Sequence, residues 1–120
     1  APGPGASPRV AFVVQRGPFW VAGGESFIDD MLTAAGALNA FHDVEKAFTR
    51  VDLERLVERD PDMILDTTLL DGEAPGPWRK YSQLRAVREG AVYSFPPVRA
   101  AVQIPLWITQ LRDLVRLRQN

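Results

Sequence analysis

Cysteine is absent from this 120-residue chain, and that absence excludes disulfides, thiolate metal sites and cysteine nucleophiles together. His42 is the single histidine, so a metal centre built from several histidines is excluded as well. An excess of charge of one sign is also missing. The 14 Lys and Arg stand against 15 Asp and Glu, a formal net charge of −1, which leaves no electrostatic footprint for nucleic acid. No apolar run approaches the roughly 20 residues that a membrane-crossing helix needs, and the opening residues lack the charged, apolar and small-residue plan of a signal peptide. No motif asks for a cofactor. What is present is ordinary for a globular domain, 46% hydrophobic and 24% charged residues, in a length that suits one core.

Residues 1–8, APGPGASP, hold too many breakers and too little to bury, and are read as a linker remnant. Residues 9–120 are read as a single α/β lobe. Between Arg9 and Gln15 the chain turns apolar through Val10, Ala11, Phe12, Val13 and Val14, the pattern of a strand covered on both faces. Gly17 and Pro18 end it, and Phe19 to Gly24 are expected to form a loop.

A first helix should follow, with Phe27, Ile28, Met31, Leu32 and Ala35 on one face, Ser26 as its cap, Asp29 and Asp30 in its first turn and Gly36 as its stop. A second begins at the Asp52 cap, where Val51 and Leu56 fit a hydrophobic staple, and ends near Asp60 before Pro61. Met63 to Leu65 reads as a second buried strand and Asp66 to Gly76 as a loop. Pro77 and Gly90 bracket an expected helix over Trp78 to Glu89 that turns Trp78, Tyr81, Leu84 and Val87 inward. Ala91 to Phe95 reads as a third strand. The closing helix repeats Ile104, Trp107, Ile108, Leu111, Leu114 and Val115 at helical spacing, with Arg112, Arg116 and Arg118 elsewhere on its surface. Strands alternating with helices predict a three-layer α/β/α sandwich around a mainly parallel sheet.

Ligands of such sheets lie beyond the carboxyl ends of the strands, which points to the loops after Val14, Leu65 and Phe95. In ILDTT, Asp66 follows a strand as a phosphoryl-transfer aspartate would, yet the second acid expected two positions later is Thr68, so Asp66 is better read as initiating the loop. Gly23 and Gly24 precede a helix but no P-loop lysine and no GxGxxG accompany them. Ser26 in GESF is a cap and not the serine of GxSxG. His42, with no partner at ligand spacing, reads as a partly exposed loop residue. Asp29 with Asp30, and Asp60 with Asp62, are explained by helix ends. Trp107 belongs to an apolar stripe and to the core. Phe19 and Trp20 keep two readings, a binding wall or local packing.

In their order, RVAFVV, SFIDDMLTAAGALNAF, VDLERLVERDPDMIL, QLRAVREGAVYSF and the closing amphipathic helix resemble the C-terminal lobe of a class III periplasmic solute-binding protein. These are clamshell receptors that deliver cobalamin, haem or iron-siderophores to ABC importers. The likeness runs from Arg9 to about Leu117. It implies that Glu54 is the acid that docks on arginines of the permease; by itself Glu54 is an exposed glutamate that complements a helix dipole. It implies a ligand-facing role for Phe48, and places Phe19, Trp20, Thr67, Thr68 and Arg99 on loops that line the cleft, where rings stack on a flat or bulky ligand and Arg99 meets its charge. The chain departs from the family at Val102 and Gln103, where many relatives carry Pro-Arg.

The resemblance therefore implies a non-enzymatic, extracytoplasmic lobe whose partners are a corrinoid, haem or siderophore, the permease subunits and an N-terminal lobe outside this chain. An isolated lobe leaves the cleft open, so it is expected to bind its ligand weakly and to have reason to dimerise. Two rivals stand beside it: an α/β protein-interaction module that uses Phe19 and Trp20, and a small phosphotransferase or hydrolase built on Asp66.

Overall fold

The computed structural model describes residues 7–70, 72–95 and 104–119, with side chains of the last stretch described at 108–118. Arg99, Val102 and Gln103, and the side chain of Trp107, lie outside the described residues.

The apolar run forms strand β1 (Arg9–Gln15), whose Val10, Ala11, Phe12 and Val13 are buried on both faces. It lies at the middle of a mixed sheet in the order β4-β2-β1-β5-β6, with β3 pairing β1 off that path. The partners are β2 (Phe19–Ala22), β3 (Leu38–Asn39), β4 (Phe48–Val51), β5 (Met63–Asp66) and β6 (Val92–Ser94). β3 and β5 run parallel to β1, and β6 parallel to β5. β1 with β2 and β2 with β4 are antiparallel. The lobe is thus a mixed α/β fold in which the parallel strands carry the core and a meander forms one edge.

That meander corrects the expected loop at Phe19 to Gly24. Gly17, at φ +62°, turns the chain sharply after β1, so Phe19–Ala22 folds back and pairs with β4 as well. The Gly23-Gly24 pair is structural. A Cβ at Gly23 would stand 2.3 Å from the Lys46 carbonyl and one at Gly24 1.9 Å from that of His42. The same segment accepts N–H bonds from Gly23 and Gly24 at Ala47 and Val44. Only glycines allow two backbones to pass that closely.

Helix α1 (Phe27–Ala34) starts where Ser26 Oγ accepts from the Asp29 N–H, and stops at Gly36, φ +90°. Helix α2 (Leu53–Arg59) starts where Asp52 Oδ1 accepts from the Arg55 N–H at 2.8 Å, with Val51 and Leu56 both buried as the staple requires. It ends at Asp60, the left-handed residue before Pro61. Helix α4 (Ile104–Gln119) packs on α1 and buries Leu111 and Val115.

The expected helix over Trp78 to Glu89 is not continuous. A 3-10 turn (Gly76–Lys80) and a single-turn helix α3 (Arg85–Arg88) flank a break in which Leu84 is extended. The inward residues are as expected, since Trp78 and Leu84 are fully buried and Tyr81 and Val87 pack against the core. The break persists because the carbonyls of Ser82 and Gln83, which a helix would use, accept from Arg88 Nη1 instead.

Candidate functional site

The carboxyl ends of β1, β5 and β6 define one edge of the lobe, the position at which open α/β sheets hold ligands. β4 runs in the same direction as β1, because each is antiparallel to β2, and Val51 at its end pairs with Phe19. The start of α2 therefore stands at that same edge, beside the β1–β2 turn and the loop after β5. An open depression of about 620 Å³ between the β1–β2 turn and the start of α2 is lined by Pro18, Phe19, Arg50, Val51, Asp52 and Leu53.

Asp66 organises the edge. It is fully buried, and its two oxygens are occupied. Oδ1 accepts from the Thr68 N–H at 2.8 Å and the Thr68 hydroxyl at 2.7 Å. Oδ2 accepts from Trp78 Nε1 at 2.7 Å and pairs with Arg16 Nε at 3.0 Å. A charge this deep is stable only when polar partners replace its water, and here three hydrogen-bond donors and a paired guanidinium do. Asp66 thus ties together the end of β5, the loop after it, the turn after β1 and the buried Trp78. It initiates the loop, as its position after a strand suggested.

The other candidates fall into four groups. Thr67 and Thr68 lie at the edge, with their hydroxyls turned inward. Thr67 Oγ1 donates to the Val13 carbonyl, and Thr68 Oγ1 donates to Asp66 while accepting from Arg16 Nε at 2.8 Å. Phe19 is 8% exposed and stacks on Trp78 with ring centroids 5.2 Å apart, with Tyr81 edge-on at 5.6 Å. Its ring is engaged in local packing. Trp20, half-buried, lies across from Arg50 on β4, and Phe48, exposed, opens β4 at the end away from Val51. Glu54 is exposed in the first turn of α2.

Arg16 and Leu70 were not singled out in the sequence, and Trp78 was read only as an inward-facing residue. Leu70 is 74% exposed in the loop after β5. A basic residue directly after a buried strand, and an aspartate at the end of the next, were the signals available for Arg16. Nothing local signals that Trp78 reaches Asp66. His42 is exposed as expected, but its Nδ1 lies 3.0 Å from an oxygen of the buried Asp29, a contact that spacing did not suggest. Among the described residues no cluster of three or more acids and histidines is arranged to hold a metal ion.

The architecture is that of one lobe of a class III periplasmic solute-binding protein. Among solved structures, the periplasmic vitamin B12 binding protein BtuF of Vibrio cholerae matches with a TM-score of 0.84 at 18% identity, over 97% of this chain and 47% of its own. The periplasmic haem-binding protein BhuT, solved with two haems, matches with a TM-score of 0.74 at 25% identity, over 99% of this chain and 48% of its own. An ABC transporter substrate-binding protein from Listeria monocytogenes matches at 0.78 and 18% identity, over 91% of this chain and 47% of its own. The chain thus spans about half the length of these proteins. No family model and no curated protein matches it.

Proposed function

We propose that this chain is the C-terminal lobe of the substrate receptor of an ABC importer, a non-enzymatic protein that takes a bulky ligand such as a corrinoid, haem or iron-siderophore outside the cytoplasm. The observation that carries this reading is the match of nearly the whole chain to half of BtuF and of BhuT. The edge geometry supports it. Thr68, Leu70, Arg16 and the start of α2 gather on one side, as one wall of a cleft whose other wall is a second lobe. Glu54 is exposed at that side, where the positive end of α2 stabilises its carboxylate while leaving it free to meet guanidinium groups of the permease. Closure of two lobes around the ligand presents that acid in a fixed geometry. The burial of Asp66 among three hydrogen-bond donors and the Arg16 guanidinium favours this reading over a phosphotransferase, because an attacking carboxylate needs access to substrate.

Half a cleft buries only part of a ligand, so the chain by itself is expected to bind weakly or not at all. Calorimetry against haem, cobalamin and a ferric hydroxamate siderophore checks this. Micromolar or tighter binding by the chain alone refutes the half-site expectation. A preceding α/β lobe of similar size in the encoded polypeptide would be the expected complement.

A further inference from the structure

Arg16 follows β1 directly, and its side chain is 31% exposed. Both of its contacts among the described residues run through Nε, to Thr68 Oγ1 at 2.8 Å and Asp66 Oδ2 at 3.0 Å. Its terminal amino groups, Nη1 and Nη2, meet no acceptor among the described residues. Several other arginines spend theirs on the fold. Arg9, Arg59, Arg85, Arg88 and Arg118 each spend a terminal amino group on a carbonyl or carboxylate of the chain.

The base that holds Arg16 is rigid. Asp66 is fully buried and fixed by Thr68 and by the Trp78 indole, so it anchors the guanidinium from behind without covering its outer side. A free surface arginine surrenders rotamer entropy when a ligand orders it. At Arg16 that ordering is largely complete before any ligand arrives. Four N–H donors in a planar fork, unengaged among the described residues, match the two oxygens of a carboxylate.

We infer that Arg16 is an anion subsite of the cleft edge and holds a carboxylate group of the ligand through Nη1 and Nη2. This rests on the receptor reading, which it narrows to ligands that carry carboxylates. Thr68 and Asp66 are positioning residues, because they act through Arg16.

The test follows the side-chain signals of Arg16 by NMR in the 120-residue chain, which suits weak binding, while citrate or its trimethyl ester is added. Citrate should shift the Arg16 terminal signals saturably and the ester should not. Arg16→Gln should weaken citrate at least ten-fold, and Arg16→Lys, which keeps the charge and loses the fork, should fall between. Amide spectra verify that each variant is folded, and if Arg16→Gln is not, the Arg16→Lys comparison decides. Citrate affinity unchanged in the folded variants overturns the inference, as does inorganic phosphate binding more tightly than citrate.

Haem and haem dimethyl ester, the same macrocycle with and without free carboxylates, separate this proposal from the reading beneath it. In a two-lobe protein, haem binding that resists both esterification and Arg16→Gln sinks the subsite and leaves the receptor standing. Saturable citrate binding at Arg16, with no haem, corrinoid or siderophore bound by the two-lobe protein, does the reverse.

Discussion

At the amino ends of the strands, Arg85 reaches Asp60, Asp62 and Glu89 together, whereas at the carboxyl ends Arg16 engages Asp66 through Nε alone. The amino edge is closed on itself. Arg9 donates from its backbone to Asp62 and from its guanidinium to the carbonyls of Arg59 and Asp60, while Arg118 joins Asp62 O to the Glu89 carboxylate. Those contacts fasten the start of β1, the end of α2, the start of β5 and α4 to one another. The carboxyl edge inverts the arrangement, with its carboxylate fully buried and its cation 31% exposed. One end spends its charges on the fold, and the other holds a cation with donors to spare.

Replacing Asp66 with alanine should break this comparison most severely. It strips a buried partner from Arg16, Thr68 and the Trp78 indole at once, and loss of one member of such a pair costs about 3–5 kcal/mol. Arg85→Ala, at the wetter amino edge, should cost about 1–2 kcal/mol, because water can reach the stranded carboxylates. Urea unfolding of both variants measures the difference. An Arg85→Ala loss equal to that of Asp66→Ala would mean that the two edges do not differ as described.

Acid sharpens the contrast from the other side. Burial of Asp62 opposes its charge, but the Arg9 N–H and the Arg85 guanidinium outweigh that, and its carboxyl titrates below the ordinary range. The hydrogen bond from Arg118 likewise lowers Glu89. A depressed carboxyl contributes stability that is present above its unfolded pKa, about 3.9 for Asp, and lost as pH falls through the folded value. Stability should therefore decline below about pH 4, and Asp62→Asn should flatten that decline while lowering stability at pH 7. Urea midpoints between pH 7 and 3 supply the reading. The smallest effect belongs to Glu54→Ala, expected to change stability by less than about 0.5 kcal/mol, since its carboxylate is exposed. A larger loss would mark Glu54 as part of the fold and not as a surface kept for a partner.

How much of this was legible in the sequence differs by element. β1 and β5 were readable because a strand covered on both faces is apolar throughout, and α1 and α2 because Ser26, Asp52 and Gly36 are local signals. β2 and β4 were not readable. Phe19–Ala22 becomes a strand by pairing with Phe48–Val51, a segment far along the chain that alternates only weakly. The single helix expected over Trp78 to Glu89 failed for a related reason: its apolar spacing was right, but the backbone breaks so that Arg88 takes the carbonyls of Ser82 and Gln83.

For the site, the sequence by itself determined that the buried strands β1, β5 and β6 are separated by helices, that loops at the carboxyl ends are the place to look, and that Asp66 opens one of them. These follow from periodicity and turn chemistry, which act over a few residues. Tertiary structure alone decided that Phe19 is packed under Trp78 and Tyr81, that the Gly23-Gly24 pair serves backbone passage, and that Arg16 is anchored by Asp66 with its terminal amino groups unengaged among the described residues. Each of those depends on which atoms from distant segments are brought within a few ångströms, and only the folded chain fixes that.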